Sequence, residues 1–136
     1  MIRMLAVLVL LMPLLVQAAA PDALYDLGRQ RYARGEYQVA IEYLENSVKL
    51  NPGNSDYHLW LGMAYGRLAQ KLPWYQAINY AEKSGASLKK AVDLDGHNLS
   101  ALETLATFYA QAPAFLGGSQ DKAARIRSRI DALRGE

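Results

Sequence analysis

The sequence has no cysteine and only two histidines, His58 and His97. No disulfide can brace it, no lipid can be attached through a thiol, and no zinc site of the usual Cys and His donors can form. Net charge is nearly absent as well: 15 Lys and Arg stand against 13 Asp and Glu, for a formal charge of +2. That balance provides no broad basic surface, so nucleic acid is excluded as a partner. An apolar run long enough for a membrane span is also missing. The longest, Met4 to Val16, reaches only about 20 Å as a helix, against a hydrocarbon core of about 30 Å. Runs of alternating β-branched residues, the mark of half-buried strands, do not occur either.

What is present begins with a leader. Arg3 precedes the Met4–Val16 run, which gives way to Gln17-Ala18-Ala19-Ala20. A positive charge, a short apolar stretch and small residues, in that order, make a secretory signal peptide. Cleavage after Ala20 and after Ala18 both fit. The sequence therefore predicts a signal peptide over 1–20 and one domain over 21–136. The mature protein is expected to be exported, soluble in the periplasm or medium, and without a stable membrane span.

Beyond Pro21 apolar residues recur at spacings of three and four, the period of amphipathic helices, so the fold class is all-α. Leu24, Leu27, Gly28 and Tyr32 form one stripe and Val39, Ala40, Tyr43, Leu44 and Leu50 a second, with a break at Arg34-Gly35-Glu36 between them. A further pair of stripes starts at Tyr57, Leu61 and Gly62, pauses after Lys71-Leu72, and restarts at Pro73, a good first residue for a helix because it has no N–H to satisfy. The spacing Trp74, Ile78, Ala81, Gly85, Leu88, Val92 predicts one continuous helix to about Leu94. Gly85 in its middle weakens that helix by about 1 kcal/mol relative to Ala, and the offset expected is another backbone packed closely against it. A third pair carries Leu102, Leu105, Ala106 and Tyr109, then Ala123, Ile126, Ile130 and Leu133, with Ser119 placed to cap its second helix.

One stretch occurs twice. Ser47-Val-Lys-Leu-Asn-Pro-Gly-Asn54 returns as Ala91-Val-Asp-Leu-Asp-Gly-His-Asn98. Each copy ends the second helix of a hairpin and turns the chain into the next hairpin. The copies lie 44 rather than 34 residues apart, and the extra ten fall between the helices of the second hairpin.

Residues 21–54 carry Leu27-Gly28, Gly35, Ala40, Leu44 and Pro52, and at these spacings the segment resembles the tetratricopeptide repeat, with Leu24 in place of its Trp and Arg31 in place of its Tyr. The second copy keeps Leu61-Gly62, Tyr65, Leu88 and Ala91, with His58 at the Trp position and Gly96 for the Pro. The third keeps Leu102, Leu105, Tyr109, Gly118 and Ala123. The segment from Gly66-Arg67 through Ala112-Pro113 and Gly117-Gly118 to Asp121-Lys122-Ala123 looks like a group of small exported bacterial tetratricopeptide proteins. The resemblance implies a right-handed α-solenoid of three helical hairpins, the second elongated, with repeats at about 21–54, 55–98 and 99–136. It further implies a non-enzymatic scaffold that holds a protein or peptide partner in the groove lined by the first helix of each hairpin.

Superposing the repeats aligns Tyr25, Leu59 and Glu103; Arg29, Met63 and Thr107; Tyr32, Gly66 and Ala110; and Ala33, Arg67 and Gln111. The expected groove residues are Tyr25, Arg29, Tyr32, Leu59, Met63, Arg67, Thr107 and Gln111: Tyr and Met for adaptable apolar contact, the two arginines for a carboxylate. The loop residues Phe115, Leu116, Gly117 and Gly118 form a candidate interaction tip, although large apolar side chains more often fold back on their own helices. Trp74 and Tyr75 are expected in the core of the second hairpin, with an exposed anchor for another protein as the alternative. Two further readings are a small-molecule or lipid-binding accessory of a transport system, with a pocket walled by Phe115, Leu116 and Trp74, and a self-associating structural subunit.

Catalytic signals are thin. Ser87-x-x-Lys90 lies within a predicted helix without the companion motifs of the enzymes that use it. Asp93-Leu94-Asp95-Gly96 lacks the later ligands of a calcium loop. No catalytic residue, metal or cofactor is expected.

Overall fold

The structure, a computed structural model, describes residues 20–135. Apart from its last residue, the expected signal peptide lies outside the described residues. Helix α1 is followed from residue 20 to residue 33. Then come α2 (Tyr37–Leu50), α3 (Ser55–Lys71), α4 (Trp74–Leu94), α5 (Leu99–Gln111), a 3-10 turn at Ala114–Leu116, and α6 (Gln120–Gly135). Among the described residues there is no strand. The helices pair as antiparallel hairpins, and successive hairpins stack: α2 packs on α3, α4 on α5, and α3 on α5.

Each of the first two hairpins closes on the same joint. A Cβ on Gly28 would lie 2.6 Å from Leu44 Cγ, and one on Gly62 would lie 2.9 Å from Leu88 Cδ2 and Cγ. Hydrogen at these two positions lets the leucine of the second helix settle onto the backbone of the first, where both leucines are almost completely buried. The joint also locates the insertion. From Gly62, α3 runs on about one turn farther than α1 does from Gly28, and α4 starts about two turns farther ahead of its leucine than α2 does. The second hairpin therefore projects beyond the first.

The duplicated turn has a cap at its end. Asn54 accepts from the Tyr57 N–H and Asn98 from the Ala101 N–H, both at 3.2 Å, so each copy finishes by satisfying an N–H that the following helix leaves free. Asn98 also donates to Ser55 and Asp56, and Ser55 donates to the Ala91 carbonyl, which binds the second turn to the start of α3. Ser119 accepts from the Lys122 N–H and caps α6 as its position suggested. His58 has a structural partner: Nε2–H donates to the Pro52 carbonyl at 2.8 Å.

The core forms two clusters. One joins Ala40, Ile41 and Leu44 to Leu61, Ala64 and Tyr65; the other joins Leu59, Leu88 and Val92 to Leu102, Leu105 and Ile130; Trp60 touches both. Several expectations change here. Leu27, Val39 and Leu50 were placed on buried stripes, yet each is exposed, Leu50 by 56%. Among the described residues the first hairpin has a stacked neighbour on one side only, and Leu50, like its counterpart Leu94, sits at a helix end beside a turn. Pro73 is the residue before α4 rather than its first. At Gly85 the close neighbour is not backbone but the Phe108 ring, 2.6 Å from where a Cβ would stand.

Candidate binding face and cleft

Tyr25, Arg29 and Tyr32 fall on one side of α1 because their spacings of four and three return to the same face of a helix. The Arg29 guanidinium lies 5.3 Å from the Tyr25 ring centre and 4.9 Å from that of Trp60 on α3. Trp60 meets Tyr32 edge-on at 5.3 Å, and Tyr32 meets Tyr37, at the start of α2, at the same distance. Above Tyr37 stand Arg67, whose Nε–H donates to the Tyr37 hydroxyl at 3.1 Å, and the Lys71 ammonium, 4.9 Å from the ring. The result is a continuous row across α1, α2 and α3 in which aromatic rings pack edge to face and cations lie over them. Tyr37 is buried and Tyr25, Tyr32 and Trp60 are half-buried, whereas Arg29, Arg67 and Lys71 are exposed.

Tyrosine hydroxyls tie the hairpins together behind this row. Tyr57 donates to Asp22 and Tyr65 to Glu45, each reaching back to the preceding hairpin. Burial raises both hydroxyls well above the ordinary tyrosine value of 10.0, and the hydrogen bonds to carboxylates add to the rise. Burial also raises Tyr25 and Tyr32, opposed by Arg29 and Arg67 respectively.

Next to the row, the projecting hairpin creates a cleft of about 520 Å³ between α3 and α4 on one side and α5 with the 3-10 turn on the other. Gly66, Ala77, Ala81 and Ser84 make the first wall, and small side chains there keep it open. Phe108, Pro113 and Leu116 make the second, and Leu88 lies at the inner end. Gly117 takes φ 97°, a left-handed conformation that favours glycine, and a Cβ on Gly118 would run into the Ala112 carbonyl. These two glycines let the chain double back under α5 and hold the 3-10 turn against α4.

The expected groove residues thus divide. Tyr32, Met63, Arg67, Thr107 and Gln111 line the cleft, and Tyr25 and Arg29 belong to the row. Leu59 does neither: it is 3% exposed within the core, because it faces α5 rather than the open side of α3. Trp74 and Tyr75, expected in the core, are 75% and 63% exposed, since α4 carries them beyond the end of the first hairpin. Phe115 is 74% exposed instead of folded back, while Leu116 turns into the cleft. Of the three residues proposed to wall a pocket, only Leu116 does so. Sequence reasoning missed Trp60, the centre of the row. It aligns with Asp26 and Thr104 across the repeats, so repeat superposition gave it no aromatic counterpart. The Ala77 and Ala81 wall was also missed, because alanines four apart mark a helix face without telling what it faces.

Among the described residues no group of three His, Asp or Glu is placed to hold a metal ion, and no helix is long and apolar enough to cross a membrane.

Residues 21–54 match the family model of the tetratricopeptide repeat. No curated protein matches the chain in sequence. Solved structures share its fold. The second tetratricopeptide domain of Spaghetti (RPAP3), bound to the HSP90 peptide SRMEEVD, is 21% identical with a TM-score of 0.65, over 84% of this chain and 92% of that one. MamA is 19% identical with a TM-score of 0.67, over 86% of this chain and 60% of that one. The Arabidopsis OM64 tetratricopeptide domain is 18% identical with a TM-score of 0.59, over 85% of this chain and 98% of that one. The fold is the all-helical tetratricopeptide solenoid.

Proposed function

We propose that the protein is a non-enzymatic scaffold of the cell envelope that holds an acidic protein or peptide segment on the face formed by α1, α2 and α3. The observation that carries this reading is the aromatic and cationic row. Its rings are fixed by packing against one another, while Arg29, Arg67 and Lys71 offer charge at its surface. Cations already placed over rings lose little freedom when a carboxylate arrives, which favours binding. A neighbouring fold that holds the peptide SRMEEVD agrees with a peptide as the occupant. Export rests on Arg3 and the Met4–Val16 run.

The test is capture from a cell-envelope extract, read by mass spectrometry, with wild type beside the Arg29→Glu/Arg67→Glu double variant. Wild type is expected to retain a protein that the variant loses, with little change in melting temperature, because cation–π contacts at exposed sites contribute only about 0.5–1 kcal/mol each. Equal capture by both proteins would remove the row as the binding face.

A further inference from the structure

The cleft differs from the aromatic row in what it offers a ligand. Four hydroxyls lie along it, and three of them already donate to a backbone carbonyl: Ser84 to Gly62 at 2.7 Å, Thr104 to Ser100 at 2.7 Å and Thr107 to Glu103 at 3.0 Å. A peptide laid in the cleft would need partners for its own N–H and C=O groups along its length, and the stretch of wall made by Ala77, Ala81, Phe108, Pro113 and Leu116 carries no polar side chain to supply them. An alkyl chain needs none. The opposing walls suit one, with alanines 77 and 81 facing Phe108 and Leu116 across the gap. The volume, about 520 Å³, is that of a site for a small molecule.

One formal charge lines the cleft, and it is positive. Arg67 uses Nε–H for Tyr37, and among the described residues its remaining guanidinium N–H groups have no carboxylate within ion-pair distance. No Asp or Glu lines the cleft. We propose that this cleft binds a small amphiphile, an alkyl chain ending in one carboxylate, with the chain between α4 and α5 and the carboxylate on Arg67. This site goes beyond the partner-binding reading and does not depend on it.

The experiment uses decanoate below its micelle concentration as the probe. Calorimetry measures binding, and amide chemical shifts map the site, beside decanol and decyltrimethylammonium as controls. Decanoate is expected to bind one to one and to shift the amides of Ala77, Ala81 and Thr107. Decanol is expected to bind about tenfold more weakly, and the cationic probe not at all. Arg67→Gln should weaken decanoate by about tenfold and leave decanol unchanged, and Ala81→Phe should abolish both. Should Ala81→Phe fail to fold, Ala77→Leu fills the same wall more gently, and the shift map of the wild type stands by itself. Unperturbed cleft amides, or undiminished binding by a folded, filled variant, would overturn the proposal. So would a peptide that shifts the same amides at lower concentration than decanoate.

The two readings fail separately. Ala81→Phe leaves the aromatic row intact and should still capture the envelope partner, while Arg29→Glu should reduce that capture and leave decanoate binding unchanged.

Discussion

In the first hairpin Leu44 closes over Gly28 and both helices stop soon afterwards; in the second, Leu88 closes over Gly62 and the helices continue about one and two turns farther. The shared joint holds each pair together through a leucine seated on a glycine. The added turns contribute less to the core than to the surface: α4 has Ser84, Leu88, Ala91 and Val92 buried, all from its midpoint onward, and exposes Trp74 and Tyr75 at its start. A repeat can therefore be lengthened without disturbing its joint, provided the extra residues fall on the side away from the stack. The extension of the second hairpin then becomes a wall for something else.

The joint is where the comparison can be broken most severely. Leu88→Ala should lower the free energy of unfolding by about 2–5 kcal/mol, as should Leu44→Ala, in urea titrations. A smaller loss, about 1–3 kcal/mol, is expected for Gly62→Ala and Gly28→Ala, since a methyl must push against a leucine held by its own packing, against a helix-propensity gain of about 1 kcal/mol. In the Leu88→Ala background the added methyl of Gly62→Ala has room, so the two substitutions should be clearly non-additive, and additivity would show that the joint is not the constraint.

The contacts between hairpins give a smaller effect, visible through pH. Tyr57 and Tyr65 are harder to ionise when folded than when unfolded, so above pH 10 the unfolded chain loses protons that the native state keeps. Stability is therefore present in full below the unfolded value and falls as pH rises beyond it. Tyr57→Phe and Tyr65→Phe should each flatten that alkaline decline at the expense of about 1 kcal/mol at neutral pH, from the lost hydrogen bond. The least effect is expected at the tip of the extension. Trp74→Ala with Tyr75→Ala should change stability by no more than about 0.5 kcal/mol, because side chains already in water lose little by truncation. A larger loss would mean that the tip supports the hairpin after all.

Legibility followed periodicity. Helices, turns, the continuous α4 and the length of the second hairpin could all be read from spacing, because a residue's place on a helix depends only on its neighbours in the chain. Tyr25, Arg29, Tyr32 and Arg67 were found by superposing repeats, and the structure brings them to one side. Leu59 was misplaced by the same superposition, since a shared register position does not tell how completely the next hairpin covers it, and α5 covers Leu59. Trp74 and Phe115 were expected to be covered because large apolar side chains usually are, and nothing local records which neighbours are there to cover them.

By itself, then, the order of residues determined an all-helical chain of three hairpins and the repeated turn that joins them, since each follows from local periodicity or from a repeated pattern. Tertiary structure alone decided that Trp60 gathers Arg29 and Tyr32 into a row and that Ala77 and Ala81 stand opposite Leu116 across an open cleft. Those arrangements depend on how far one hairpin reaches past the next, a distance set by stacking and invisible to any local period.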